Sequence, residues 1–446
     1  MWWTNQLAAE AAVLGLLDIA HGGTTIAASI GLLAAVAGMR GRRLQWGHPA
    51  PAVAANNSAA SLHIMTRGPA PRAPRPAIRD VLVASPAPAR RPPAVAAPKI
   101  DAVIVPRRDP ATPVDNAIRT ASAAGAPLVV LDSPDGVAAP PADSVAFRAA
   151  LDSGSAARLT LPEAWDPTAA LSTSNHESAD RHRDTPAKRN AGMLLARAAG
   201  WRHVLFMDDD IDPLGSDHLD ATRQALAGRG SGTASQIAAW AFVDAHDRSV
   251  VGHACATAGM PTISLIGAGA MAIDCRSAVS FFPALYNEDL LFAMTSATLG
   301  GAGVTPVGTT LHQRARRADT FASPSLAARQ EFGELLATGL MEAELDSERL
   351  HIQTQIDFWR HVVCDRMTLL VQLAVQLQAG RHAAAARCVA EAAACHAPEL
   401  PAQLAGYTTQ LIRDHETWQT MLERPVQALG KHAGPWLETL ETRARV

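Results

Sequence analysis

The stretch His203-Val204-Leu205-Phe206-Met207-Asp208-Asp209-Asp210-Ile211 decides how this chain is read. Five mostly apolar residues predict a buried strand, and three consecutive carboxylates follow at its C-terminal end. Neighbouring carboxylates repel: at ~5 Å and an effective dielectric of ~20, a pair costs roughly 3 kcal/mol. Such a cluster calls for a compensating cation or for full hydration. Oxygen-only ligands suit a hard divalent ion, Mg²⁺ or Mn²⁺, completed by water and substrate phosphates. The stretch therefore reads as a metal–diphosphate site. A calcium loop is excluded, because its sixth and twelfth positions would need Gly and Glu and hold Pro213 and Leu219.

Working outward, the flanking pattern alternates strands and helices. Ile100–Pro106 is an apolar run ending at Pro. Val114–Ala124 is helical and stops at Gly125, and Pro127–Asp132 is a second strand. Strand, helix and strand in that order make one βαβ unit of a parallel sheet. Thr185 is placed to cap the next helix, with Pro186 in its first turn and Gly200 past its end, and this helix feeds the acidic strand. Open α/β sheets bind ligands at the carboxyl ends of their strands, so Asp132 and Asp208 to Asp210 should share one rim.

The 446 residues carry a net charge of −3, and no basic field points to nucleic acid. Five cysteines without CxxC spacing indicate neither a disulfide framework nor a zinc site, and favour a reducing, cytoplasmic compartment. Residues 1–45 form an apolar segment, uncharged from Gly22 to Met39 and followed by Arg40, Arg42 and Arg43. It suits a single membrane span or interfacial helix at the inner face of the cell membrane, or a helix docked on a soluble protein. Residues 46–98 have the Pro-, Ala- and Arg-rich composition of a linker. The chemistry-bearing region runs over 99–325. Beyond it, 326–446 reads as an α-helical appendix: Glu331–Leu377 and Arg381–Ala394 have helical periodicity broken at Gly380, with Trp359, Val362, Val363, Leu369 and Leu370 as its core. The apolar faces of these helices suggest a homo-oligomer.

Three further pieces flank the acidic triplet. Lys188-Arg189-Asn190-Ala191-Gly192 opens the preceding helix, where cations and free N–H groups favour an anion, although a solvated basic turn reads equally well. Gly267 and Gly269 interrupt a later strand and suggest close approach by a ligand or another backbone; tight packing explains them too. Asn287-Glu288-Asp289 suits a helix start, with Asn287 as cap and two acids complementing the dipole, or with one acid as a general base. His312 closes the series.

In this order the pieces resemble the nucleotide-sugar-dependent glycosyltransferases of the GT-A fold, most similar to the family 2 type. The resemblance covers roughly Lys99 to Ala322. It implies a Rossmann-like α/β domain with a mostly parallel mixed sheet flanked by helices. It further implies that Asp208 and Asp210 bind Mn²⁺ or Mg²⁺ with the donor diphosphate, and that His312 adds a ligand. Asp209 would approach the ribose or sugar, and Asp132 the base or ribose. Pro106, Lys188, Arg189, Asn190, Gly267 and Gly269 would line the donor. Asp289, beside Glu288, would deprotonate a hydroxyl acceptor in a non-processive, inverting transfer.

The sequence departs from the family where the first strand runs into Pro106-Arg107-Arg108-Asp109-Pro110, and where no QxxRW motif occurs. Two other readings stay open: a degenerate transferase domain serving as a scaffold, and a sugar-nucleotide pyrophosphorylase.

Overall fold

The computed structural model describes residues 98–107, 112–133, 143–162, 165–177, 184–228, 235–242, 248–260, 266–313, 320–343 and 350–444. The expected apolar N-terminal segment and nearly all of the linker lie outside them. Among the described residues no helix is long and apolar enough to cross a membrane.

The architecture is a mixed α/β sheet flanked by helices. Strands β1 (Ala102–Pro106), β2 (Leu128–Asp132), β3 (Ala156–Thr160), β4 (His203–Met207), β5 (Ile237–Phe242), β6 (Ile266–Asp274) and β7 (Val304–Leu311) lie in the order β3-β2-β1-β4-β6-β5-β7. Pairing is parallel from β3 through β2 and β1 to β4, and again between β5 and β7; β6 is antiparallel to both its neighbours. Helices α1 (Asp115–Ala124), α2 (Val145–Asp152), α3 (Thr185–Ala198), α4 (Ser216–Leu226), α5 (Val250–Thr257) and α6 (Glu288–Gly300) connect these strands.

Alternation along the central strands builds two cores. Ala102, Ile104, Val204 and Phe206 face one layer, while Val103, Val105, Leu205 and Met207 face the other. The second core is closed by α1, α2 and α4 through residues such as Ala117, Phe147 and Leu219. In the first, Met193 and Leu194 of α3 pack with Leu291 and Phe292 of α6. Gly192 is where α3 meets the sheet: a β-carbon there would lie 2.9 Å from the Phe206 ring and 3.3 Å from Ile104. Glycine at this position is therefore a packing requirement.

The expected helix before Gly125 forms as α1, and Gly125 caps it in the left-handed conformation at φ 65°. Helix α3 begins at Thr185, but Asp184 holds the cap position, and its carboxylate reaches Lys188 and Ser133 instead of a backbone N–H.

The C-terminal helices are α7 (Pro324–Met341), α8 (Ile356–Ala379), α9 (Ala383–Ala394), α10 (Leu400–Glu423), α11 (Pro425–Leu429) and α12 (Ala433–Ala444). The expected helix over Glu331–Leu377 is thus two helices. The break falls at Gly380 as expected, yet the left-handed residue is the next one, Arg381, at φ 60°. Of the expected core, Trp359 and Leu370 are buried, and Val362, Val363 and Leu369 are half-buried.

These helices are not an appendix. Leu404, Tyr407, Leu411 and Trp418 of α10 belong to the same core as Met193, Phe281 and Leu291. Asp414 of α10 accepts from the backbone N–H groups of Ser172 (3.0 Å) and Thr173 (2.7 Å), and Gln419 donates to the Val279 carbonyl at 2.8 Å. Much of the apolar surface that suggested self-association is covered from within the chain.

A buried polar cluster ties the tail helices together. Arg366 of α8 makes a two-pronged bridge to Glu331 of α7 (2.8 and 2.7 Å), and His396 meets the same carboxylate at 2.9 Å. Burial works against the Glu331 charge, but Arg366 and His396 outweigh it and hold its pKa below the ordinary value.

Because the core is shared, Trp418→Ala should cost about 3–5 kcal/mol, as large aromatic-to-alanine cavities do. A chain ending after Ala397 should fail to give a folded 98–397 fragment. Urea denaturation and fragment solubility check both. A soluble, cooperatively folding fragment would show that the tail is dispensable.

Candidate functional site

The strands running parallel from β3 to β4 deliver their carboxyl ends to one edge of the sheet. Arg107, Asp132 with Ser133, Thr160 and Asp208 therefore stand on one rim. Strand β6 runs the other way and contributes its beginning: Gly269 offers its carbonyl to the Asp208 N–H at 2.8 Å, and Gly267 lies opposite Trp240. Both glycines thus take part in ordinary backbone pairing of the sheet beside the acidic triplet. His312 follows β7 on the same side, and its carbonyl accepts from the Asp212 N–H at 3.0 Å.

Arg189 is the centre of the constellation. It is 2 % exposed, and its guanidinium spans two acids: Nη2 donates to Asp208 Oδ1 at 2.8 Å, and Nη1 to Glu288 Oε1 at 3.0 Å. The guanidinium lies 5.5 Å from the centroid of the Phe282 ring, which stacks in turn on Phe292 at 4.0 Å. Burial opposes the charge, but Asp208, Glu288 and Asp289 together raise the Arg189 pKa above its usual value. This side chain stays a cation.

The Asp208 pKa also rises, which for a carboxyl favours the neutral form. Burial pushes its pKa up to about 7; Arg189 opposes the rise, and the carboxylates of Asp210 and Asp209 add to it. Asp209 and Asp210 are themselves buried, and Gln313 donates to Asp210 Oδ2 at 3.3 Å. The segment past the triplet is pinned to α1: Asn116 donates to the Ile211 carbonyl at 2.8 Å, and the Leu214 N–H donates to Thr120 at 2.9 Å.

Lys188 has no exposed surface. Its ammonium donates to the Arg107 carbonyl (2.7 Å), to Ser133 Oγ (2.6 Å) and to Asp184 (2.7 Å). Burial lowers its pKa, only partly offset by Asp184, Asp132 and Asp209. Asn190 is a strut: its amide donates to the Phe282 carbonyl and accepts from the Phe282 N–H, both at 2.8 Å. With both ends engaged and the side chain fully buried, it is not offered to a donor as expected.

Asp132 differs from its expected role in a similar way. Arg107 grips it with two prongs (2.7 and 2.6 Å), and Arg158 of β3 adds a contact at 3.2 Å. Arg107 and Arg158 both lie against the Phe147 ring, and Asp143 joins them. Pro106, one residue earlier, is a buried strand end. This clamp at the β1–β2 edge was not read from the sequence. The Pro106-Arg107-Arg108 departure was its only signal.

At α6, Asn287 holds the cap position without capping. It adopts φ 64°, and its amide donates to Glu334 of α7 at 3.3 Å. Glu288 is buried against Arg189, while half-buried Asp289 accepts from the Leu290 N–H at 2.7 Å. The expected Asn287 side-chain cap is therefore replaced by a link to α7.

Asp208, Asp210 and His312 do not form a three-ligand cage. Among the described residues no three His, Cys, Asp or Glu side chains gather as metal ligands, and His312 is exposed. The donor set fits a lighter demand. Magnesium-type ions in phosphate sites rest on one or two carboxylates and take their other ligands from substrate and water. Asp208 and Asp210 are the carboxylates at this strand end that such an ion would use; burial raises the Asp208 pKa, and Asp210 adds to the rise.

No protein-family model matches this chain, and no curated protein matches it.

The Asp208 shift carries a sign. The folded chain holds this proton more tightly than the unfolded chain, so the group favours folding most below about pH 4. That contribution drains away as pH rises from the ordinary value of 3.8 to about 7. In metal-chelated buffer, Asp208→Asn should therefore flatten the fall in thermal stability across this window. Parallel stability curves for the two proteins would count against the raised Asp208 pKa.

Proposed function

We propose that this protein is a metal-dependent, non-processive glycosyltransferase that moves a sugar from a nucleoside-diphosphate donor to a hydroxyl acceptor with inversion. The observation that carries the reading is the Arg189 bridge. It joins the first acid of Asp208-Asp209-Asp210 to the acid pair at the start of α6, on the rim where α/β sheets bind ligands. A further support is the sheet itself, mostly parallel with one reversed strand, as the resemblance to the GT-A fold implies.

Each residue has a task in this reading. Asp208 and Asp210 hold the divalent ion, which when bound neutralises charge on the departing diphosphate. Arg189 keeps a fixed positive charge beside that position, and its orientation is set before substrate arrives. Asp289, half-exposed at the positive end of α6, accepts the proton of the acceptor hydroxyl. Glu288, buried against Arg189, fixes the helix start beside Asp289. Lys188 holds the Arg107 carbonyl and the Ser133 hydroxyl, and so shapes the rim between β1 and β2.

The test is release of free nucleoside diphosphate from UDP-, GDP- and dTDP-sugars with Mn²⁺. One donor should be hydrolysed slowly without acceptor. Asp208→Ala and Asp210→Ala should each lower that rate by at least about 100-fold, with the circular dichroism spectrum unchanged. Retained activity in both variants would sink the metal-dependent reading. Silence of the wild type across the panel, with no nucleotide binding, would favour a scaffold.

A further inference from the structure

The turn that aims the α6 acids hinges on Asn287, whose residue type tolerates the left-handed region better than most but does not require it. Asn287 sits at φ 64°, and only two other described non-glycine residues, Leu350 and Arg381, have positive φ. Even for Asn this conformation is less favourable than for Gly, so contacts that hold the turn have something to contribute. Two contacts do so, and both come from α7. Gly333 lets α7 press on the turn: a β-carbon there would lie 2.2 Å from the Tyr286 carbonyl oxygen. Beside it, Glu334 Oε1 accepts from the Asn287 amide at 3.3 Å.

Glu334 is in turn held from α8. Arg366 Nη1 stands 3.6 Å from Glu334 Oε2, and the same guanidinium is locked on Glu331, which also meets His396. The chain of contacts runs from the end of α9 through α8 and α7 to Asn287. From there Glu288 reaches Arg189, and Arg189 reaches Asp208.

We infer that Glu334 is a positioning residue: it anchors the left-handed turn at Asn287 and thereby orients Glu288 toward Arg189 and Asp289 toward the acceptor. The inference rests on the glycosyltransferase reading for its catalytic consequence. Its structural part stands apart from that reading. It gives the C-terminal helices a role in the site, which their lack of any motif left unassigned.

The experiment pairs hydrogen exchange of the segment 286–292 with donor kinetics in the full chain. Glu334→Ala should speed exchange in that segment. It should lower kcat by about 10- to 100-fold, the scale of a misplaced reactive group, while leaving donor KM within about two-fold. Glu334→Gln keeps one oxygen for the Asn287 amide but gives up the Arg366 ion pair, so it should fall between wild type and Glu334→Ala on both readouts. Asn287→Gly adopts the turn without an anchor, so adding Glu334→Ala to it should cost nothing more. Unchanged exchange in Glu334→Ala overturns the inference, and so does an equal loss in the glycine background. If the wild type turns over no donor, the transferase reading falls, and the exchange data alone decide whether Glu334 anchors the turn.

Discussion

One buried cation organises this molecule. Arg189 comes from the first turns of α3, yet its two prongs end on the tip of β4 and the start of α6, residues 208 and 288. Taking a guanidinium out of water costs several kcal/mol in effective terms, and the cost is recovered only when its hydrogen bonds are met with good geometry. Here two carboxylates and the flat face of Phe282 meet it. Removing either acid would leave a buried charge half-paired. The bridge thus fixes where the acidic triplet and the helical acid pair stand relative to each other, as the proposed transfer would require of a site that balances developing charge.

The helical tail extends the same constraint. A separate appendix would leave the site to the sheet domain alone. Instead α10 fills the core under α3 and α6 with Tyr407, Leu411 and Trp418, and α7 lies directly on the turn before α6. The acid pair is therefore held from two sides: Arg189 from the sheet side, and the Gly333–Glu334 edge of α7 from the tail. Ion pairs lie in both places, Arg189 with Asp208 and Arg366 with Glu331, and removing one partner of either would leave a buried charge short of a partner.

Much of this was legible in the sequence, for physical reasons. Strands β1, β2 and β4 are buried on both faces and announce themselves as unbroken apolar runs. The acids after β4 fall on the rim because parallel strands put their carboxyl ends there. Strand β3 reads Ala156-Ala157-Arg158-Leu159-Thr160, too polar and alanine-rich to stand out, and its Arg158 turns out to serve the Asp132 clamp. Asn287 looked like a cap because Asn favours that position; the structure uses its tolerance of the left-handed region instead. The grip of Arg107 on Asp132, and of Glu334 on Asn287, depends on chain segments 25 and 47 residues apart, and local pattern carries no signal of such pairings. Nor did periodicity show that the tail shares the sheet's core, since a buried helical face looks the same whichever core receives it.

The most direct measurement is a calorimetric titration of the purified chain with UDP, GDP and dTDP, with and without Mn²⁺, on the wild type and on Arg189→Lys. Lysine keeps the charge but cannot bridge two acids as the guanidinium fork does. The account predicts Mn²⁺-dependent binding of one nucleoside diphosphate by the wild type, weakened about ten-fold or more in the variant. Absence of any binding, or undiminished binding in Arg189→Lys, would contradict it.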